Sequence, residues 1–218
     1  MRFRNRADAG GKLAGELLEY ADRPDVVVLA LPRGGVPVAA EIANRLRVPL
    51  DVLLVRKLGV PGHPELAMGA VAAGGVQVLS PVLIADLAIP AALVQQVAAR
   101  ERLELDRRDR LFRGGRAPLI IHGRTIILVD YGLATGSTME VALIALGRLQ
   151  PAAIVVAVPV GARSTCDRLR GMANRVVCLR APESFDAVGL WYDDFDQTTD
   201  DEVRRHLTKA WEDPPRPA

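Results

Sequence analysis

The sequence predicts an α/β fold with a central, mostly parallel sheet flanked by helices, and three observations carry that expectation. Apolar, largely β-branched runs at Val26 to Leu31, Ile126 to Val129 and Ala153 to Pro159 are unbroken by charge, as strands buried on both faces are. Strands and helical segments alternate along the core, which argues for parallel strands joined by helical crossovers. The 218 residues, 50% of them hydrophobic, suffice for one sizeable core with a decorating lobe. A single domain over residues 1–213 is expected, with 214–218 as a frayed tail.

Taken in order, a helix over Asp8 to Tyr20 places Leu13, Leu17, Leu18 and Ala21 on one side. Strand Val26 to Leu31 runs into Pro32-Arg33-Gly34-Gly35, and a helix follows from about Val36 to Arg45. Strand Asp51 to Val55 ends in Arg56-Lys57, where a long insertion begins, about residues 58–124. Within it, Val60 to Glu65 reads as a loop, Ala67 to Ala73 and Val76 to Leu79 as a β-hairpin around Gly74-Gly75, and Pro90 to Phe112 as a long helix. Glu101, Glu104, Asp106 and Asp109 interleave with the arginines from Arg100 to Arg116, the pattern of a solvated amphipathic face rather than a nucleic-acid surface. The core resumes with Ile126 to Val129, a helix from near Thr138 to Leu149, strand Ala153 to Pro159, a helix opened by Ser164-x-x-Asp167 and strand Arg175 to Leu179. A last helix is announced by the capping box Thr199-x-x-Glu202.

A net charge of +2 and a pI near 8.7 are too mild to argue for nucleic acid or a membrane surface. Cys166 and Cys178 lack metal or redox spacing and read as reduced packing residues. With no apolar run near the roughly 20 residues that span a bilayer, the chain is expected to be soluble and cytoplasmic.

The most informative stretch is Thr125-Ile126-Ile127-Leu128-Val129-Asp130-Tyr131-Gly132-Leu133-Ala134-Thr135-Gly136-Ser137-Thr138-Met139. Asp130 sits where the strand leaves its sheet, so its carboxylate can reach a ligand. Ala134 to Thr138 carry little bulk; their backbone N–H groups can close around a phosphate, with the hydroxyls of Thr135, Ser137 and Thr138 and the following helix end as further donors. Neither a Walker A loop nor a dinucleotide fingerprint is present, and there is no Gly-x-Ser-x-Gly elbow of an α/β hydrolase.

Thirteen consecutive positions, Ile126 to Thr138, instead resemble the phosphoribosyl diphosphate (PRPP) motif of type I phosphoribosyltransferases, apart from Tyr131, where most members carry a second acid. The resemblance implies that family's fold, with a flexible lid within the insertion and a small hood over about residues 181–198. It implies transfer of 5-phosphoribosyl from PRPP to a nucleobase with release of pyrophosphate, assisted by Mg2+, in a protein commonly dimeric. By the same resemblance, Asp130, Tyr131 and Ala134, Thr135, Gly136, Ser137 and Thr138 would hold PRPP, Asp130 accepting the ribose hydroxyls. Arg33, Gly34, Gly35 and Lys57 would hold pyrophosphate, in a loop that in the family often contains a non-proline cis peptide. Asp130, Lys57 and Arg33 are the expected catalytic set.

The segment Phe185-Asp186-Ala187-Val188-Gly189-Leu190-Trp191-Tyr192-Asp193-Asp194-Phe195 holds four of the chain's nine aromatic residues and is similar to the hood of 6-oxopurine enzymes. Phe185, Trp191 and Asp193 are the expected base-binding residues, with Asp193 also a candidate Mg2+ ligand; a small satellite core is the other reading of these aromatics. Ala134 aligns this chain with the adenine and uracil enzymes, so loop and hood point to different bases. Tyr131 would weaken the grip on the ribose. The alternative function is a catalytically weak or inactive PRPP- or nucleotide-binding regulatory protein.

Overall fold

The computed structural model describes residues 2–212, without the side chains of Pro64 and Glu65, so the expected frayed tail lies outside the described residues. In chain order the elements are α1 (Arg6–Gly15), β1 (Val26–Ala30), α2 (Gly35–Leu46), β2 (Leu50–Val52), β3 (Val55–Val60), β4 (His63–Ala72), β5 (Val76–Leu79), α3 (Pro81–Asp86), α4 (Ala91–Arg113), β6 (Thr125–Val129), α5 (Ser137–Arg148), β7 (Ala153–Val160), α6 (Arg163–Leu169), β8 (Arg175–Arg180) and α7 (Asp200–Glu212). Short 3-10 turns occur at Leu18–Tyr20 and Val188–Trp191.

Five strands form the central sheet in the order β2-β1-β6-β7-β8, and every neighbouring pair is parallel. Their side chains alternate between two apolar layers. Val26, Val28, Ala30, Ile127 and Val129 face Leu13 of α1, Ile42 of α2 and Leu207 of α7. Val27, Leu29, Ile126 and Leu128 face Met139 and Leu143 of α5 and Leu169 of α6. Both faces are covered, which is why these strands read as continuous apolar runs rather than alternating ones.

The insertion is a three-stranded antiparallel sheet, β3-β4-β5, with α4 packed against it. Leu58, Met68, Val71, Val97, Leu105 and Phe112 join the same apolar layer as α1 and α2, so the insertion is anchored in the main core. The expected hairpin around Gly74-Gly75 is β4-β5.

Local departures from the sequence reading have identifiable causes. The first helix stops at Gly15, and the turn that follows rotates Leu18 off the apolar stripe to 50% exposure. The expected strand Asp51 to Val55 is split between two sheets, because β2 ends at Val52 and Val55 opens β3. The expected loop Val60 to Glu65 contracts to a tight turn: Val60 pairs with His63, and Gly62, at φ +84°, takes the left-handed position that a type II turn with Pro61 before it requires. The Ser164 capping role is not made, since α6 starts at Arg163 and Asp167 pairs with Arg170 instead. At Thr199 the capping box forms as expected: Thr199 N donates to Glu202 Oε2 at 2.7 Å and Glu202 N to Thr199 Oγ1 at 3.1 Å. The arginine-rich helix is mostly a solvated ion-pair face, Arg107 and Arg108 sharing Glu104. Arg113 departs from it: its side chain, 3% exposed, pairs with the equally buried Asp51 at 3.1 Å.

Candidate active site

At the carboxyl end of β6 the chain turns into α5 through Ala134-Thr135-Gly136. Gly136 is left-handed at φ +74°, and a Cβ there would lie 2.5 Å from Thr165 Cγ2, so this close approach to α6 requires glycine. The loop is held from behind. Thr165 Oγ1 donates to the Ala134 carbonyl at 2.7 Å, and Arg168 Nη2 donates to the Thr135 carbonyl at 2.5 Å while its Nε pairs with Glu140. These bonds engage backbone carbonyls of the loop and leave the Ala134, Thr135, Ser137 and Thr138 residues exposed at the start of a 12-residue helix. That is the arrangement in which backbone N–H groups and a helix end bind an anion.

Opposite this loop, β1 leads into the Pro32-Arg33 peptide, which is cis, and then Gly34-Gly35 at the start of α2. Gly34 has ordinary helical dihedrals, so its role is steric: a Cβ would stand 2.4 Å from Tyr131 Cδ1. At Gly35 it would meet the Val129 carbonyl at 2.8 Å. The two glycines thus let the ends of β1 and β6 converge on one crevice of about 400 Å³, lined by Arg6, Leu31, Pro32, Arg33, Gly34, Asp130, Tyr131, Thr138, Phe195, Gln197 and Thr198. Arg33 is poised there at 3.5 Å from Asp200, in the first turn of α7.

Asp130 keeps part of its surface at the crevice, but protein atoms crowd it. Burial lifts its pKa to about 7, against the opposing effects of the Tyr131 N–H donated to its Oδ1 at 2.8 Å and of the Arg6 charge. Burial also raises the Tyr131 phenol. Tyr131 is fixed on two sides: its carbonyl accepts from Tyr192 Oη at 2.5 Å, and its ring packs against Phe195 with centroids 5.6 Å apart.

A family model described as the phosphoribosyl transferase domain matches residues 2–192. The chain belongs to the phosphoribosyltransferase family. Two Mycobacterium tuberculosis proteins, MT0597 and Rv0571c, each named "Putative phosphoribosyl transferase", are 45% identical over 211 residues. That span is 97% of this chain but 47% of each relative, so the chain spans about half the length of these proteins. The crystal structure of TT1426 from Thermus thermophilus is 44% identical, covers 96% of this chain and 99% of its own, and superposes with a TM-score of 0.87.

For this phosphoribosyltransferase-family chain, the fold brings Arg33, Gly34, Asp130, Tyr131 and Thr138 to one crevice. Lys57 lies elsewhere, in a groove between β3 and α4 with Arg100 and Glu101. Its neighbour Arg56 lines the same groove, paired there with Glu101, and also lies beside Leu31, Pro32 and Thr138. Phe185 and Trp191 stack on each other with centroids 6.5 Å apart and pack in a satellite cluster with Phe3 and Tyr192, away from the crevice lining. Asp193 is exposed, and its backbone N–H donates to Phe3 O at 2.8 Å. Arg6, Gln197 and Thr198 line the crevice without having been singled out in the sequence; no local motif marks them. Among the described residues no group of three or more His, Cys, Asp or Glu side chains could hold a metal, and no helix is long and apolar enough to cross a membrane.

Proposed function

We propose that the crevice binds PRPP and that the protein transfers its 5-phosphoribosyl group to a ring nitrogen of a nucleobase. The observation that carries this reading is the single carboxyl group of the lining, Asp130, placed between a helix-start anion cradle and the Arg33-Gly34 turn. The 5-phosphate sits on Ala134 to Thr138. Asp130 accepts the ribose hydroxyls, and Tyr131 stands in for the second acid. Arg33 and the Gly34-Gly35 backbone hold pyrophosphate; closure of the β3-β4 hairpin as a lid carries Lys57 towards it and excludes water. The bond from C1 to the pyrophosphate oxygen breaks with its electron pair leaving on pyrophosphate, and a nitrogen lone pair of the base captures the oxocarbenium-like carbon. The protein acts by positioning and by stabilising charge.

Mg2+, when bound, neutralises pyrophosphate oxygens. With one carboxyl group in the crevice lining and Asp193 outside it, the residues present suit a metal that enters chelated by PRPP rather than one held in a protein cage. The base occupies the end of the crevice formed by Phe195, Gln197 and Thr198, and the Phe185-Trp191 pair supports the hood behind it.

Calorimetric titration of PRPP with and without Mg2+ tests the reading. Saturable, metal-dependent binding that disappears in Asp130→Asn is expected, followed by pyrophosphate release with a member of a base panel. No binding by the unsubstituted protein refutes it. Binding without release by any base supports a second reading, a PRPP-responsive regulatory protein, which the Tyr131 ring filling the space over Gly34 favours.

A further inference from the structure

Arg6 opens α1, and its guanidinium is not committed to a protein carboxylate. Nη1 donates to the Asp196 carbonyl at 2.7 Å, Nε is buried without a hydrogen-bond partner, and no ion pair forms with any described residue. Its neighbours Arg4 and Lys12, by contrast, share Asp8. The Arg6 guanidinium carbon lies 4.3 Å from the Phe195 ring centroid and 5.3 Å from that of Tyr131. The rings attract the cation but give its buried N–H no acceptor, and a buried donor left unpaired is costly. Nε is enclosed by protein, so an anion entering the crevice would meet the Nη edge of the guanidinium, where Nη1 alone donates to a protein acceptor.

The backbone shows which part of a ligand Arg6 faces. Phe3 N donates to Trp191 O at 2.8 Å, Asp193 N to Phe3 O at 2.8 Å and Asp194 N to Arg4 O at 2.9 Å, so the segment bearing Arg6 is laced to residues 191–194. Arg6 therefore stands on the side of the crevice that Phe195 and Gln197 form.

Resting on the PRPP reading above, we propose that Arg6 is a specificity-determining residue that pairs with an ionised oxygen of the acceptor, so the base transferred to is a carboxylated or otherwise anionic heterocycle. The other cation in the crevice lining, Arg33, is left to the pyrophosphate.

The test is calorimetry on the PRPP-loaded protein with two matched pairs, uracil against uracil-6-carboxylate and nicotinamide against nicotinate. A carboxylated member is expected to bind about 10- to 100-fold more tightly than its neutral partner, the size of a charge-assisted hydrogen bond. Arg6→Gln should erase that preference, and Arg6→Lys should restore part of it. Thermal unfolding of each variant reports whether the hood stays in place. Saturable PRPP binding with no carboxylate preference, or with neither carboxylated ring bound, overturns this inference alone. So does an Arg6→Gln variant that weakens neutral and carboxylated rings alike, the result expected of a mere brace. Absence of PRPP binding by the unsubstituted protein overturns the inference and the proposed function together.

Discussion

Asp130 is expected to make the protein less stable as pH rises towards neutrality, and Asp130→Asn to remove that loss. Its carboxyl pKa is about 7 in the folded chain against an ordinary 3.8. Between those values the folded state keeps a proton that the unfolded state has released, so stability falls as pH rises from about 4 to about 7 and is flat above. A gap of about three pH units, at ~1.36 kcal/mol each, sets a ceiling of about 4 kcal/mol. Water at the crevice face screens part of it, leaving about 2 kcal/mol. Asp130→Asn keeps an amide oxygen for the Tyr131 N–H and cannot ionise. It should match the unsubstituted protein near pH 4 and exceed it by about 2 kcal/mol at pH 8, while losing PRPP binding. Urea unfolding followed by circular dichroism at pH 4, 5, 6, 7 and 8 measures the difference. Parallel stability profiles for the two proteins would refute a carboxyl group held protonated by burial. A confirmed divergence would show that the Asp130 carboxyl group is kept in the crevice at the expense of stability.

Gly34→Ala drives a Cβ to 2.4 Å from the Tyr131 ring. It should cost about 1–3 kcal/mol in urea unfolding, but little when made in a Tyr131→Ala background, as a double-mutant cycle would read. Arg113→Met strands the buried Asp51 carboxylate and should cost about 3–5 kcal/mol, whereas the pair Asp51→Leu with Arg113→Met should recover most of it in a double-mutant cycle. Thr165→Val removes the hydroxyl that donates to the Ala134 carbonyl; a loss of about 1 kcal/mol in unfolding is expected, with PRPP affinity in calorimetry weakened several-fold as the cradle loosens.

The parallel sheet and the small-residue loop after β6 were legible because both are local. A strand buried on both faces shows itself as an unbroken apolar run, and the loop from Asp130 to Thr138 carries its acid, small residues and hydroxyls on consecutive positions. The capping box at Thr199 and the β4-β5 hairpin are local in the same way. What failed depended on where an element stops. One run from Asp51 to Val55 was divided between two sheets, β2 ending at Val52 and Val55 opening β3.

By itself, then, the sequence determined the α/β class, the succession of buried strands and the chemistry of the loop after β6, all written within short windows of chain. Only the tertiary structure decided what faces that loop. It brought Arg6, Arg33, Asp130 and Phe195 to one crevice and Asp51 against Arg113, and it put Phe185 and Trp191 into a satellite core. Those pairings join residues far apart in sequence; they are set by sheet order, helix packing and close approach at Gly34 and Gly136, none of which leaves a periodic signal in the chain.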